Sequence, residues 1–128
     1  MRRFIITGIS IFLIYLILAP QVSAGVIYVN DDAPGPVHNG NSWSEAFISL
    51  QDALDATQAH DNIWVAKGTY KPDKLFDPNE PRSASFSLIN HVAVYGGFAG
   101  TENPASFDLD DRDFELNETI LTLSLIHI

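Results

Sequence analysis

The chain reads as a mainly β solenoid, and three features of its 128 residues predict this. Five short β-type runs recur between turn-rich segments. A single amphipathic helical pattern stands early among them. The segments between runs differ greatly in length, which suits stacked coils, because insertions project from a solenoid without disturbing the stack.

The first element is a leader rather than part of the fold. Met1-Arg2-Arg3 is positive, residues 4–18 are apolar apart from Thr7, Gly8 and Ser10, and Val22-Ser23-Ala24 has the small-residue pattern of a processing site. A secretory signal peptide over residues 1–24 is expected, cleaved after Ala24. A retained anchor is the competing reading, disfavoured because no basic stop-transfer run follows. Cleavage leaves five Lys and Arg against sixteen Asp and Glu, so the formal charge moves from −9 to −11. That balance excludes nucleic acid, whose phosphates require clustered Lys and Arg. It equally disfavours an anionic membrane surface, and no membrane insertion is expected after signal removal. The chain has no cysteine, so an exported form relies on its core, on cations or on repetition.

The first strand-like run is Val26-Ile27-Tyr28-Val29, ended by Asn30-Asp31-Asp32. Pro34-Gly35-Pro36 and Asn39-Gly40-Asn41 make residues 30–41 a loop. A helix is predicted over residues 42–59. Trp43, Phe47, Leu50 and Leu54 recur at steps of four, three and four, which puts them on one helical face. Ser42 and Glu45 have capping-box spacing. A cap contributes only ~1 kcal/mol, whereas burying four such side chains contributes roughly 6–12 kcal/mol gross. The helix therefore needs a flat apolar surface beneath it.

His60-Asp61-Asn62 punctuates the helix, and Ile63-Trp64-Val65-Ala66 is a second strand lasting until Gly68. Alternation sets Trp64 on the face opposite Ile63 and Val65. Residues 71–82 hold Pro72, Pro78 and Pro81 and read as an exposed excursion. Two further strands are expected over residues 84–89 and 92–95. Gly96-Gly97-Phe98-Ala99-Gly100 follows, where positive φ or a close backbone approach is expected. An Asp-rich loop leads to the last run, Thr119-Ile120-Leu121-Thr122.

No GxGxxG, P-loop, GxSxG or HExxH pattern is present. The densest polar constellation is Asp108, Asp110, Asp111 and Asp113, whose hard oxygens suit Ca²⁺ in an extracellular medium. The EF-hand pattern fails, since Asp113 takes the place of the turn glycine and Thr119 that of the bidentate Glu. Arg112 also offsets the charge. A solvated acidic loop is the favoured reading, with Ca²⁺ as the alternative. His38, His60 and His91 stand singly and read as turn residues. Trp43, Trp64, Tyr70 and Tyr95 suit sugar stacking only where exposed, and Trp43 is expected in the core.

Several stretches together resemble a known family. Ile27-Tyr28-Val29, Asn39-Gly40-Asn41-Ser42-Trp43, Leu50-Gln51-Asp52-Ala53-Leu54, Ile63-Trp64-Val65-Ala66-Lys67-Gly68-Thr69-Tyr70-Lys71-Pro72, Ser85-Phe86, Val94-Tyr95-Gly96-Gly97-Phe98-Ala99-Gly100-Thr101-Glu102 and Thr119-Ile120-Leu121 carry the likeness. They resemble the amino-terminal part of bacterial secreted right-handed parallel β-helix proteins of the pectate-lyase-like group. The resemblance covers residues 25–122. It implies a right-handed parallel β-helix start whose amphipathic helix caps the open end. Such proteins continue with a turn and many more coils, whereas this chain ends Leu123-Ser124-Leu125-Ile126-His127-Ile128. One codon reading of that hexapeptide matches the end of a transposase library adapter. Residues 123–128 are therefore expected to be a non-native tail.

Two functions follow as expectations. One is a non-catalytic cap with the first coils of a surface or adhesin-type protein, whose partners are extracellular polysaccharide or cell-surface components. The alternative is the start of a secreted polysaccharide lyase or glycoside hydrolase whose site lies in later coils. In that case no catalytic residue falls within this chain.

Overall fold

The computed structural model describes residues 25–75 and 77–123. The expected leader and residues 124–128 of the expected tail lie outside the described residues. Strands β1 (Val26–Val29), β2 (Asn62–Ala66) and β4 (Ala93–Phe98) form one parallel sheet in chain order. Strand β3 (Gly68–Tyr70) pairs in parallel with β5 (Thr119–Leu121) in a second. The helix α1 spans Leu50–Ala56, and single 3₁₀ turns occupy Pro81–Ser83 and Leu109–Asp111. The described residues are thus mainly β: two small parallel sheets and one α-helix, with no closed barrel.

Register explains why both faces of the larger sheet are buried. Ile27, Ile63 and Val94 stand side by side, as do Tyr28, Trp64 and Tyr95, and as do Val29 and Val65. Alternation sends the aliphatic rows to one face and the aromatic row to the other. The aliphatic rows meet Leu50, Ala53 and Leu54 of α1, and Tyr70 of β3, in a core where Val29 and Ile63 have no exposure. On the other face Tyr28 and Trp64 pack with Ala46 and Phe98, and Trp43 and Phe107 close over them. Parallel sheets are stable in this doubly covered state.

A register shift supplies the centre of the aromatic face. Trp64 lies opposite Tyr95, but Ala66 lies opposite Phe98, so β4 carries one extra residue there. Gly97 adopts φ +88 within that step. In an unbroken strand Phe98 would face away from Tyr95. The bulge turns it to the same side. Its ring stacks on Trp64 at 4.6 Å and 11°. Strand β4 therefore runs to Phe98, beyond the expected end at residue 95, and positive φ occurs at Gly97 and Gly100 as expected.

The helix is much shorter than predicted. It begins at Leu50 and is capped by Ser49, whose side chain accepts the Asp52 N–H. It ends at Ala56, where the Thr57 hydroxyl donates to the Leu54 carbonyl at 2.8 Å. Ser42 Oγ does accept the Glu45 N–H at 3.2 Å, as expected of a cap, yet no helix follows. The reason is that β1 claims this backbone. Phe47 donates its N–H to the Tyr28 carbonyl at 2.9 Å and accepts the Asn30 N–H at 2.8 Å. Gly40 accepts the Tyr28 N–H at 3.0 Å. Gly40 has φ +79, and a Cβ there would lie 2.7 Å from the Phe47 ring. The predicted apolar stripe is consequently divided. Phe47, Leu50 and Leu54 serve the aliphatic core, while Trp43 serves the aromatic one.

Residues 84–89 are not a regular strand. Ala84 makes only an isolated antiparallel bridge to Leu75. The Ser87 N–H donates instead to Gln51 Oε1 at 3.0 Å. Gln51 is 2% exposed on α1 and donates its own amide to Asp55. A helix side chain here takes the place of a neighbouring strand. The three-residue β3, following Lys67 at a bend, was unmarked by any hydrophobic pattern.

Candidate functional site

The end of the fold formed by β4 and β5 presents apolar side chains to solvent. Among the described residues each of these strands has a sheet neighbour on one side only, β2 and β3 respectively. Between them lies an apolar cavity of about 440 Å³ lined by Val65, Leu88, Ile89, Val92, Val94 and Leu121, among others. Leu88 is 72% exposed and Leu121 49% exposed. Exposed aliphatic side chains around a bare sheet edge mark a contact surface or an aggregation site. Arg112 gives β4 partial protection. Its Nη1 donates to the Gly96 carbonyl at 3.1 Å and its Nε to the Leu109 carbonyl at 2.6 Å. The guanidinium also sits 4.9 Å from the Phe114 ring centre and 5.4 Å from that of Tyr95.

The aspartates singled out by sequence are exposed, and Asp108 and Asp113 are locally engaged. Asp108 Oδ1 accepts the Asp110 N–H at 2.9 Å and so caps a 3₁₀ turn. Asp113 Oδ1 accepts the N–H groups of Glu115 and Leu116. Asp110 and Asp111 lie in the first turn of the 3₁₀ segment. Among the described residues no three His, Cys, Asp or Glu side chains are placed to hold a metal ion.

Of the three histidines considered, His60 and His91 occupy turns, whereas His38 lies in an irregular stretch. His38 Nδ1 lies 2.9 Å from the Ala46 carbonyl. His60 and His91 share an unforeseen feature: both have positive φ, +75 and +63. Each precedes by two residues one member of the Asn62–Ala93 pair. The His60 N–H donates to the His91 carbonyl at 2.7 Å, and the rings are 5.6 Å apart. Successive passes of the chain thus enter the sheet through the same left-handed turn, a conformation for which His is enriched.

Two carboxylates missed by sequence reading are set apart by environment. Burial disfavours the charge on Glu102, yet the N–H groups of Ala99, Gly100 and Thr101 at 2.7, 3.0 and 3.0 Å prevail and hold its carboxyl below the usual range. Asp31 shows the opposite balance. Burial, reinforced by Asp32, pushes its carboxyl up, and its Oδ1 is buried without a hydrogen-bond partner. Tyr70 lies beside it, donating to the Ala66 carbonyl at 3.0 Å and accepting the Asp31 N–H at 3.3 Å. Burial pushes the Tyr70 hydroxyl up to about 12. In sequence Glu102 is marked only by following Gly96-Gly97-Phe98-Ala99-Gly100, and Asp31 only by the Asn30-Asp31-Asp32 run that ends the first strand.

Of the four aromatic residues considered for sugar stacking, Trp64 and Tyr70 are 5% and 3% exposed and are unavailable. Trp43 and Tyr95 are half-buried. Among the described residues no helix is long and apolar enough to cross a membrane. No family model, curated protein or solved structure matches this chain.

Proposed function

We propose that these residues form the amino-terminal cap and first coils of an exported right-handed parallel β-helix of surface or adhesin type, with a structural rather than catalytic role. The observation that carries this reading is the strand order. The chain passes from β2 in one sheet to β3 in the other, then to β4 and β5, and each new strand lies parallel on the outer side of its predecessor. That path is expected of a coil, and parallel crossovers are right-handed in nearly all sheets.

The repeated turn at His60 and His91 supports the same reading, as does the bare apolar end. Val94 and Leu121 then await a further coil, while the 40–47 segment and α1 close the start.

The native locus beyond Thr122 tests the proposal. Further β-type runs at a spacing of about 20–50 residues are expected. Recovery of the same six terminal codons followed by a stop would overturn it. The enzymatic alternative gains instead if the complete protein generates unsaturated product from polygalacturonate in a Ca²⁺-dependent manner.

A further inference from the structure

We propose that a groove beside Trp43 binds a neutral sugar unit of an extracellular glycan, an inference that rests on the exported reading above for the ligand's location. The groove has a volume of about 500 Å³ and is lined by Asn30, Pro34, Ser42, Trp43, Ser44 and Thr101, with Gly100 completing it. It lies at the turns that leave β1 and β4 and shares no lining residue with the cavity at the β4–β5 end.

Its aromatic wall is held in place from behind. The Trp43 ring packs against Tyr28 at 4.8 Å and Phe98 at 5.8 Å. Its Nε1 donates to the Glu102 carbonyl at 2.8 Å. The Glu102 carboxylate meanwhile gathers the N–H groups of Ala99, Gly100 and Thr101. One residue thus fixes both the indole and the turn facing it. A wall ordered before binding saves the entropy of ordering it on binding.

The polar lining is neutral and carries both donors and acceptors. Ser42 Oγ and Ser44 Oγ are 3.2 Å apart. Asn30 Oδ1 accepts the Asp32 N–H at 3.0 Å. Its Nδ2 is aimed at Gly100, where a Cβ would come within 3.0 Å of it. Hydroxyl and amide groups beside an indole match a ring that has an apolar C–H face and a hydroxyl rim. No Lys or Arg lines the groove, and the chain carries a formal charge of −9, so a polyuronate meets repulsion without a counter-charge.

The test is a titration of the isotope-labelled full chain, recovered from the medium of a secreting host, followed by NMR. The probes are cellohexaose, xylohexaose and mannohexaose, with hexagalacturonate as the charged comparison, up to about 20 mM, which covers the millimolar range of weak specific binding. Saturable shifts of the Trp43 Nε1–H and of the Ser44 and Thr101 amides are expected with at least one neutral probe and not with hexagalacturonate. Ser44→Ala and Thr101→Val, both at exposed positions, should each weaken binding roughly fivefold. Trp43→Ala should weaken it by roughly tenfold; because Trp43 also packs the aromatic core, the two polar variants decide the matter where that variant does not fold. The proposal is overturned if these signals stay unmoved by every neutral probe, if hexagalacturonate moves them instead, or if the polar variants bind like the parent. The locus beyond Thr122 tests the solenoid reading independently, so either can fail alone.

Discussion

At the β1 end of the larger sheet, backbone bonds and a helix close what the β4 end leaves to Arg112, the Thr119 hydroxyl and exposed side chains. Tyr28 and Asn30 exchange three hydrogen bonds with Gly40 and Phe47, so the edge of β1 is paired without another strand. Leu50 and Leu54 of α1 then cover the aliphatic interior, each 1% exposed. At the other end Leu88 is 72% exposed and the interior opens into a cavity. Capping a parallel sheet is thus two separate tasks. The loop satisfies polar backbone, and the helix removes apolar surface from water. The amphipathic stretch that sequence presents as one device is divided between them.

The largest effect should come from the helix half of the cap. Leu54→Ala leaves a hole against Val29, Ile63 and Val65, and urea unfolding should show a loss of ~2–5 kcal/mol. A loss below ~0.5 kcal/mol, the range of ordinary surface changes, would mean that α1 does not seal the core. The loop half should be next. Gly40→Ala imposes a positive φ on a side chain that also meets the Phe47 ring, and a destabilisation of roughly 1–3 kcal/mol is expected. Faster hydrogen exchange of the Tyr28 amide would locate the damage at the edge.

A third effect separates two carboxylates at the turns. Glu102 has a folded pKa below its unfolded value, so its stabilisation is complete above the unfolded pKa and is lost as pH falls through the folded one. Asp31 has a raised folded pKa, so its ionisation opposes folding, and acidification through that pKa relieves the cost. Glu102→Gln should therefore flatten the acid limb of a melting-temperature profile, whereas Asp31→Asn should raise the melting temperature at neutral pH. Equal profiles for the two variants would remove the distinction. The smallest effect on stability belongs to the open end. Leu88→Lys should change unfolding free energy by less than ~0.5 kcal/mol, while lowering self-association in sedimentation. A large loss of stability there would show that the end is already packed.

Much of the larger sheet was legible because its strands are dense in β-branched and aromatic residues with period two. Trp64 was placed on the face opposite Ile63 and Val65, and its burial with Phe98 follows from that alternation. Trp43 was harder. Its spacing from Phe47 fits a helix as well as it fits two turns serving two cores, and local pattern carries no information about which backbone groups β1 will claim. The groove residues were illegible for a related reason: Asn30, Ser42, Ser44 and Thr101 are ordinary turn residues until the connections after β1 and β4 meet. The aspartate run drew attention by density alone, and the fold uses Oδ1 of Asp108 and of Asp113 to accept neighbouring amides.

Composition and periodicity by themselves determined that the chain would be mainly β, acidic and disulfide-free, with a helical segment around Leu50 and Leu54. Those properties arise from side chains close in sequence, whose burial and charge are nearly additive. Tertiary structure alone decided where the helix starts, which way Phe98 points and what Gln51 is for. Each of these depends on a backbone partner tens of residues away. A hydrogen bond from Phe47 to Tyr28 outweighs a favourable helix cap, because an unpaired edge group near the core costs more than the cap returns.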